Sequence, residues 1–220
     1  IHCLSCGEEE EWMCPRCFDN IPLLDFQICP KCERFATQGG TPCLKCKENY
    51  PLDALVATTR YKEHGVEKLI HTYKYRLAKQ IAPILGSLMA KAYLKQDLPL
   101  PDVILPVPLH PRRLRWRGFN QSSLLGQYLG SNLTVGMPIP FYTNILIRTC
   151  YTSPQMKIKN YHKRKENVIN AFGVNSNRNI TNKKVLLVDD VATTGATLLE
   201  CARILKRYGV KKIYAIVIAR

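Results

Sequence analysis

Two hydrophobic periods run along the chain and mark out its elements. Leu55–Tyr61 reads as a strand, after a linker over residues 47–54 that carries Pro51. From Gly65 to Lys95 the pattern turns helical, with Leu69, Tyr73 and Leu77 on one face at i, i+4 and i+8. Pro83 is expected to divide that stretch into two helices. Leu98–Asp102 is a Pro-rich turn, and VILPV at Val103–Val107 is a short buried strand with Pro106 near its end. A helix is expected over 119–130, turns over 131–143, and a second apolar run at Asn144–Arg148. Residues 149–183 are basic and weakly periodic, which reads as irregular chain. Val185–Val188 is a fully apolar strand, followed by a helix from Gly195 to about Tyr208 and a final strand at Ile213–Ala219. Strands alternating with helices predict an α/β fold with a mainly parallel sheet flanked by helices.

The first 50 residues follow neither period. They hold eight of the ten cysteines in four C-x-x-C pairs: Cys3/Cys6, Cys14/Cys17, Cys29/Cys32 and Cys43/Cys46. A C-x-x-C turn brings two thiolates to one ion, and two such pairs complete a tetrahedral zinc site. Four pairs therefore allow two Zn2+ ions. Sequential pairing would give one site from Cys3, Cys6, Cys14 and Cys17 and another from Cys29, Cys32, Cys43 and Cys46; the spacing also permits interleaved pairing. A closed four-thiolate site has no open position for catalysis, so its work is to fold a segment poor in large apolar residues. Two units are expected: a Cys-rich module over 1–50 and an α/β domain over 51–220. Cys150 and Cys201 stand alone and read as buried thiols.

Composition adds little to this, and charge adds more. Of the 220 residues, 46% are hydrophobic and 22% charged, an ordinary globular balance that argues against disorder or a coiled coil. No stretch approaches the roughly 20 apolar residues of a membrane helix, and no secretory signal is visible, so a cytoplasmic, reducing location is expected. The net charge is +15, unevenly spread. Residues 1–50 carry five basic and eight acidic residues, whereas Val103 to Val188 holds thirteen basic residues and one acid, Glu166. Such a block suits a phosphate-rich small molecule or nucleic acid; a solvated surface would also account for it.

The sharpest chemical signal is K-VLLVDD-VATTGAT, Lys184–Thr197. A buried strand delivers Asp189 and Asp190 to its carboxyl end, where open α/β sheets bind ligands. The turn that follows opens a helix, whose first amides and dipole favour an anion. Thr193, Thr194 and Thr197 add hydroxyls, and Gly195 permits close backbone approach. The turn is expected to hold a phosphate, with the two aspartates near neighbouring hydroxyls or a magnesium shell. The plainer alternative is a capped helix beside two solvated acids. A Walker A loop is absent.

This segment resembles the phosphoribosyl pyrophosphate (PRPP) loop of type I phosphoribosyltransferases. Residues 103–121, VILPVPLHPRRLRWRGFNQ, together with Asn167, Val168, Ala171 and Phe172 in an N-V-x-x-A-F element and the leading Cys pairs, are similar to the ComF family of competence proteins. The resemblance spans nearly the whole chain. It implies a type I phosphoribosyltransferase-like sheet domain behind a small double zinc-ribbon module. It places ribose hydroxyls on Asp189 and Asp190 and the 5′-phosphate on Ala192, Thr193, Thr194, Gly195, Ala196 and Thr197, with Mg2+ entering alongside PRPP.

Beside that resemblance, Arg112, Arg113, Arg115 and Arg117 follow an apolar strand directly, and guanidinium forks suit pyrophosphate or DNA phosphate. They are expected on a loop. His110 reads as structural and Trp116 as packed. Arg148, Lys157, Lys159, Lys163, Arg164 and Lys165 lie where type I enzymes carry a closing loop, and a solvated loop is an equal reading. Two functions follow. One is a protein of natural transformation that binds PRPP–Mg2+ and single-stranded DNA, stacking bases on aromatics drawn from Trp116, Phe119, Tyr151, Tyr161 and Phe172, and working with other DNA-uptake proteins, possible company at the inner face of the membrane. The alternative is an active phosphoribosyltransferase that moves ribose 5-phosphate to a nitrogen acceptor, for which no nucleobase hood is recognisable in the sequence.

Overall fold

Side-chain alternation along the strands decides the layering of the protein, seen here in a computed structural model that describes residues 1–63, 65–152, 167–175 and 178–220. Four strands, β3 (Ala54–Thr59), β4 (Val103–Pro106), β7 (Lys184–Val191) and β8 (Lys212–Ala219), form one sheet in the order β3-β8-β7-β4. All three pairings are parallel. Even-numbered positions (Ala54, Val56, Ile104, Leu186, Val188, Ile216, Ile218) face one core, built with Leu69, Ile70, Leu85, Leu88, Leu125 and Leu129. Those residues lie on α3 (Val66–Tyr75), α4 (Ala82–Lys95) and α6 (Gln121–Asn132). Odd-numbered positions (Leu55, Ala57, Val103, Leu105, Val185, Leu187, Ala215, Val217) face the other, under α7 (Ala196–Arg207) and the antiparallel pair β5 (Leu146–Arg148) and β6 (Phe172–Val174). A strand covered on both sides has to be apolar at every position, which is why VLLV and IYAIVIA read as unbroken runs.

Both outer edges of the sheet are covered. Ile104 of β4 donates to Pro140 O and accepts from Tyr142 N, so residues 140–142 line that edge, and Pro106 sits on an edge strand, where proline is tolerated. At the far side the Cys-rich segment lines β3. Leu24 donates its N–H to Thr58 O, Thr59 Oγ1 donates to Pro22 O, and the Gln27 side chain makes two hydrogen bonds, to Ala57 N (2.9 Å) and Ala57 O (3.0 Å). Covering an edge in this way removes a template for unwanted strand pairing. The segment itself is built from α1 (Pro15–Asp19), the short antiparallel pair β1 (Gln27–Ile28) and β2 (Ala36–Thr37), and α2 (Leu44–Lys47). Cys3, Met13, Cys14 and Ile21 join the even-numbered core.

The α/β class and the parallel sheet are as the sequence led us to expect, and several local readings are corrected. Within residues 47–54, read as a linker, Leu52 is buried and Asp53 bridges Lys206 (2.9 Å) and Lys212 (2.8 Å). The helical stretch breaks at Leu77, which takes a left-handed φ of 58°, and not at Pro83. Pro83 lies in the first turn of α4, where a backbone N–H has no helical partner to lose. The arginine-rich segment is a helix, α5 (Pro111–Arg117), and not a loop. Strand β6 lies within the stretch expected to be irregular.

At Gly40 the backbone of the Cys-rich segment lies directly against the sheet. The φ of Gly40 is 71°, and a Cβ there would sit 2.1 Å from the carbonyl oxygen of Leu55 in β3. Gly40→Ala is therefore expected to lower global stability by about 2 kcal/mol, through backbone strain and displacement of the segment from β3. Urea melts measure this, and an unchanged midpoint would show that the contact does not bear on the sheet.

Candidate functional site

Strand β7 stays buried through Val188 and then presents two acids at the carboxyl end of the sheet. Its period of two separates them. Asp190 turns to the α3 side, where Lys74 Nζ lies 2.9 Å from its Oδ1, with both side chains about 15% exposed (15% and 14%). Asp189 lies within electrostatic reach of Arg148 and Cys201 on the other side. Asp189 Oδ1 accepts from Ser122 Oγ (2.9 Å) and from the N–H of Asp190 (2.9 Å), and Asp190 Oδ1 accepts from Val191 N (2.6 Å). Burial, reinforced by the neighbouring Asp190 carboxylate, pushes Asp189 from 3.8 up to about 7. The turn that follows forms a small concavity whose lining includes Asp189, Ala192, Thr193, Gly195, Ala196 and Thr197. Gly195 takes the left-handed conformation (φ 67°) immediately before α7, and Thr194 is buried with its Oγ1 accepting from Ala196 N. The expected phosphate turn is thus a concave helix start beside the acid pair.

Helix α5 brings cations to this end of the sheet. Arg113 and Arg117, four residues apart, are partly buried on one face, while Arg112 and Arg115 are exposed. Arg117 lies within electrostatic reach of Asp190, with its guanidinium 5.9 Å from the Tyr75 ring. Arg113 donates to Thr152 O (2.8 Å), and Arg148 donates to the hydroxyl of the same threonine. Burial, then the proximity of Arg113, lowers Arg148 from the ordinary arginine value. Among the described residues, Nε of both Arg117 and Arg148 is buried with no hydrogen-bond partner. His110 caps α5, its Nδ1 accepting from Arg112 N (3.2 Å), as a structural reading implies. Burial and the surrounding arginines lower its pKa.

The RGFNQ stretch is the corner between α5 and α6. Gly118 ends α5 with φ 75°, and Phe119 is buried against Tyr73. Asn120 caps α6 by accepting from Ser122 N and also donates to Val107 O, and Gln121 O accepts the Tyr73 hydroxyl (2.9 Å). The corner thereby hangs Ser122 over Asp189. Val168, Ala171 and Phe172 of the second element are core residues of the odd-numbered face.

The cysteines resolve into the sequential pairing. Sγ atoms of Cys3, Cys6, Cys14 and Cys17 lie within 4.8 Å of one another, as do those of Cys29, Cys32, Cys43 and Cys46, and each set could hold a metal ion. The two repeat one local geometry. Cys14 N donates to Cys3 Sγ and Cys43 N to Cys29 Sγ, each at 3.4 Å, and α1 and α2 begin just after those donors. Burial opposes ionisation of Cys3 and Cys29, but surrounding backbone N–H groups outweigh it and bring each to about 6. Cys14, Cys17 and Cys46 shift the other way, Cys46 pushed up to about 12 by burial and the neighbouring cysteines; a set of four sulfurs at this spacing suits zinc.

Of the residues singled out in the sequence, Lys157, Lys159, Tyr161, Lys163, Arg164 and Lys165 lie outside the described residues. Trp116 is 67% exposed rather than packed, and Tyr151 is 50% exposed between Arg112 and Arg113, whereas Phe119 and Phe172 are core. Cys150 is exposed and Cys201 buried. Sequence reasoning missed Lys74, Ser122 and the tie between Arg113 and Arg148. Only Ser122 left a trace, as the residue two after the α6 cap.

Residues 147–220 match the family model described as a phosphoribosyl transferase domain. The chain is 32% identical over its whole length to competence protein F of Haemophilus influenzae, covering 96% of that protein. It is 34% identical over 189 residues to DNA utilization protein YhgH of Escherichia coli, 84% of this chain and 80% of the relative. To competence protein ComFC of Bacillus subtilis it is 26% identical, over 94% of this chain and 78% of that one.

Because the fold favours protonated Asp189 over the unfolded chain, its contribution to stability is complete below about pH 4 and is lost as the pH rises through about 7. Urea melts of the wild-type protein and Asp189→Asn, which cannot ionise there, are expected to show the wild type losing relative stability across that window. Parallel pH profiles would contradict the placement of Asp189.

Proposed function

We propose that this chain, which belongs to the ComF family of competence proteins, serves natural transformation by binding PRPP–Mg2+ and single-stranded DNA at the carboxyl end of its sheet. One observation carries the reading: an acid pair and a hydroxyl-rich helix start stand beside partly buried arginines, Arg117 and Arg148, whose buried Nε donors have no partner among the described residues. In this reading the turn Ala192–Thr197 takes the 5′-phosphate, Asp189 and Asp190 take the ribose hydroxyls, and Arg113 and Arg117 face the pyrophosphate. Mg2+ arrives with the pyrophosphate and offsets its charge. An unsatisfied buried donor is costly, so an anion that accepts from Arg117 and Arg148 stabilises the site.

Single-stranded DNA suits the same face. Exposed Trp116 and Tyr151, set among the guanidinium groups of Arg112, Arg113 and Arg117, combine stacking with phosphate attraction. The names of the relatives, competence proteins and a DNA utilization protein, fit this partner. Arg115, exposed on α5, adds to the same field, and the sequence places Lys163 and Arg164 in the following basic stretch. Each cysteine set holds one structural Zn2+ in the module over 1–50, closed to catalysis by its four thiolates, while 51–220 carries the ligand site. No helix among the described residues is long and apolar enough to cross a membrane. A cytoplasmic place of action, reached at the inner membrane face through other DNA-uptake proteins, fits the proposed role.

Calorimetric titration with PRPP–Mg2+, with and without an oligonucleotide, tests both ligands. Asp190→Asn is expected to weaken PRPP binding at least tenfold; it also lowers the melting temperature, because Lys74 loses its partner, while the chain still folds cooperatively. Single-strand affinity is expected to fall with salt at a log–log slope of about −0.7 per phosphate contacted. Unchanged PRPP affinity in the variant, or salt-independent DNA binding, would count against the assignment. Chelation of the metal is expected to release residues 1–46 from β3, read as faster amide exchange at Ala57, and unchanged exchange there would argue against structural zinc.

A further inference from the structure

The ion pair between α3 and β7 lies in the site yet belongs to none of the motifs, and Lys74 lies outside residues 147–220 that match the phosphoribosyl transferase model. We propose that Lys74 is a positioning residue, which holds Asp190 as a fixed, ionised acceptor for a sugar hydroxyl. This rests on the sugar-phosphate reading of the site given above.

Geometry carries the inference. Lys74 Nζ sits 2.9 Å from Asp190 Oδ1 in surroundings that leave both side chains about one-seventh exposed (15% and 14%). At that depth an unpaired carboxylate is costly, and a second carboxylate stands next to it on the strand. Burial of Lys74 without a partner would be costly in the same way, so each group fixes the other. Helix α3 cannot drift, because Leu69, Ile70 and Tyr73 are buried against the sheet. Tyr73, the residue before Lys74, donates its hydroxyl to Gln121 O, and Gln121 precedes Ser122, which donates to Asp189. Two adjacent residues of α3 and two of α6 thus form one linked frame that grips both acids.

The frame also aims them. Every hydrogen bond and ion pair found for Asp189 and Asp190 among the described residues falls on Oδ1, so that Oδ2 of each carboxylate is left for a ligand. A vicinal diol, with two hydroxyl donors on adjacent carbons, is the ligand chemistry that two adjacent carboxylate acceptors match. Lys74 does not touch the sugar in this arrangement. It acts through Asp190, by charge and by orientation, and the phosphate turn at Ala192–Thr197 does not depend on it.

That separation defines the experiment. Calorimetry on the full chain in magnesium-free buffer uses two probes, ribose 5-phosphate and inorganic phosphate. K74M is expected to bind ribose 5-phosphate about tenfold more weakly than wild type, with phosphate affinity unchanged, and K74R, which keeps the charge, to recover most of the loss. Unchanged ribose 5-phosphate affinity in K74M would overturn the proposal. So would an equal loss for both probes that K74R does not repair, since that marks damage to the fold. If the wild-type protein binds neither probe, the sugar-phosphate reading itself fails and the role of Lys74 falls with it.

Discussion

Two carboxylates at the end of a strand buried on both faces set the terms for the rest of this structure. From Val185 to Val188 strand β7 gives up all solvent contact, and the next two residues are acids. Charges at such a depth have to be met by groups from other elements. The strand period separates them, and groups from more than one element meet them. Asp190 is met by Lys74 from α3, and Asp189 by the Ser122 hydroxyl from the start of α6 and by its place near Arg148 on β5. Helices α3 and α6, on one face of the sheet, are thereby tied to the end of β7 through the two acids.

The arginines answer the same constraint at longer range. Helix α5 follows β4 directly, and its period turns Arg113 and Arg117 inward while Arg112 and Arg115 stay in solvent. Arg113 and Arg148 repel each other but are tied to one threonine, Thr152. A like-charged pair held this way is stabilised by an anion between or beside its members. In the proposed reading that is the physical sense of a basic block around an acidic pair: the acids would take hydroxyls and the guanidinium groups phosphate.

The Cys-rich segment contributes through the opposite edge of the sheet. Its hydrogen bonds from Leu24 and Gln27 and to Pro22 all fall on β3, and Cys3 and Cys14 reach the core. A short segment with few large apolar residues gains its shape from its two cysteine sets and its attachment from β3. The glycine at position 40 is what lets it come close enough.

Much of this was legible in the chain alone. Strands covered on both faces announce themselves as unbroken apolar runs, C-x-x-C pairs announce thiolate sets, and a strand leading to DD and a TTG turn announces a ligand end, because each of these signals is local. The sequential grouping of the cysteines, the helical form of Pro111–Arg117 and the exposure of Trp116 were decided by packing. So were Lys74 and Ser122 as partners of the acids: nothing within a few residues marks Lys74, and the cap before Ser122 does not say that its hydroxyl meets Asp189. Residue types and local spacing determined what chemistry the chain carries. Only the tertiary structure decided which groups meet, because hydrogen bonds and charge pairs act through space between elements far apart in the chain, 67 positions from Ser122 to Asp189 and 116 from Lys74 to Asp190.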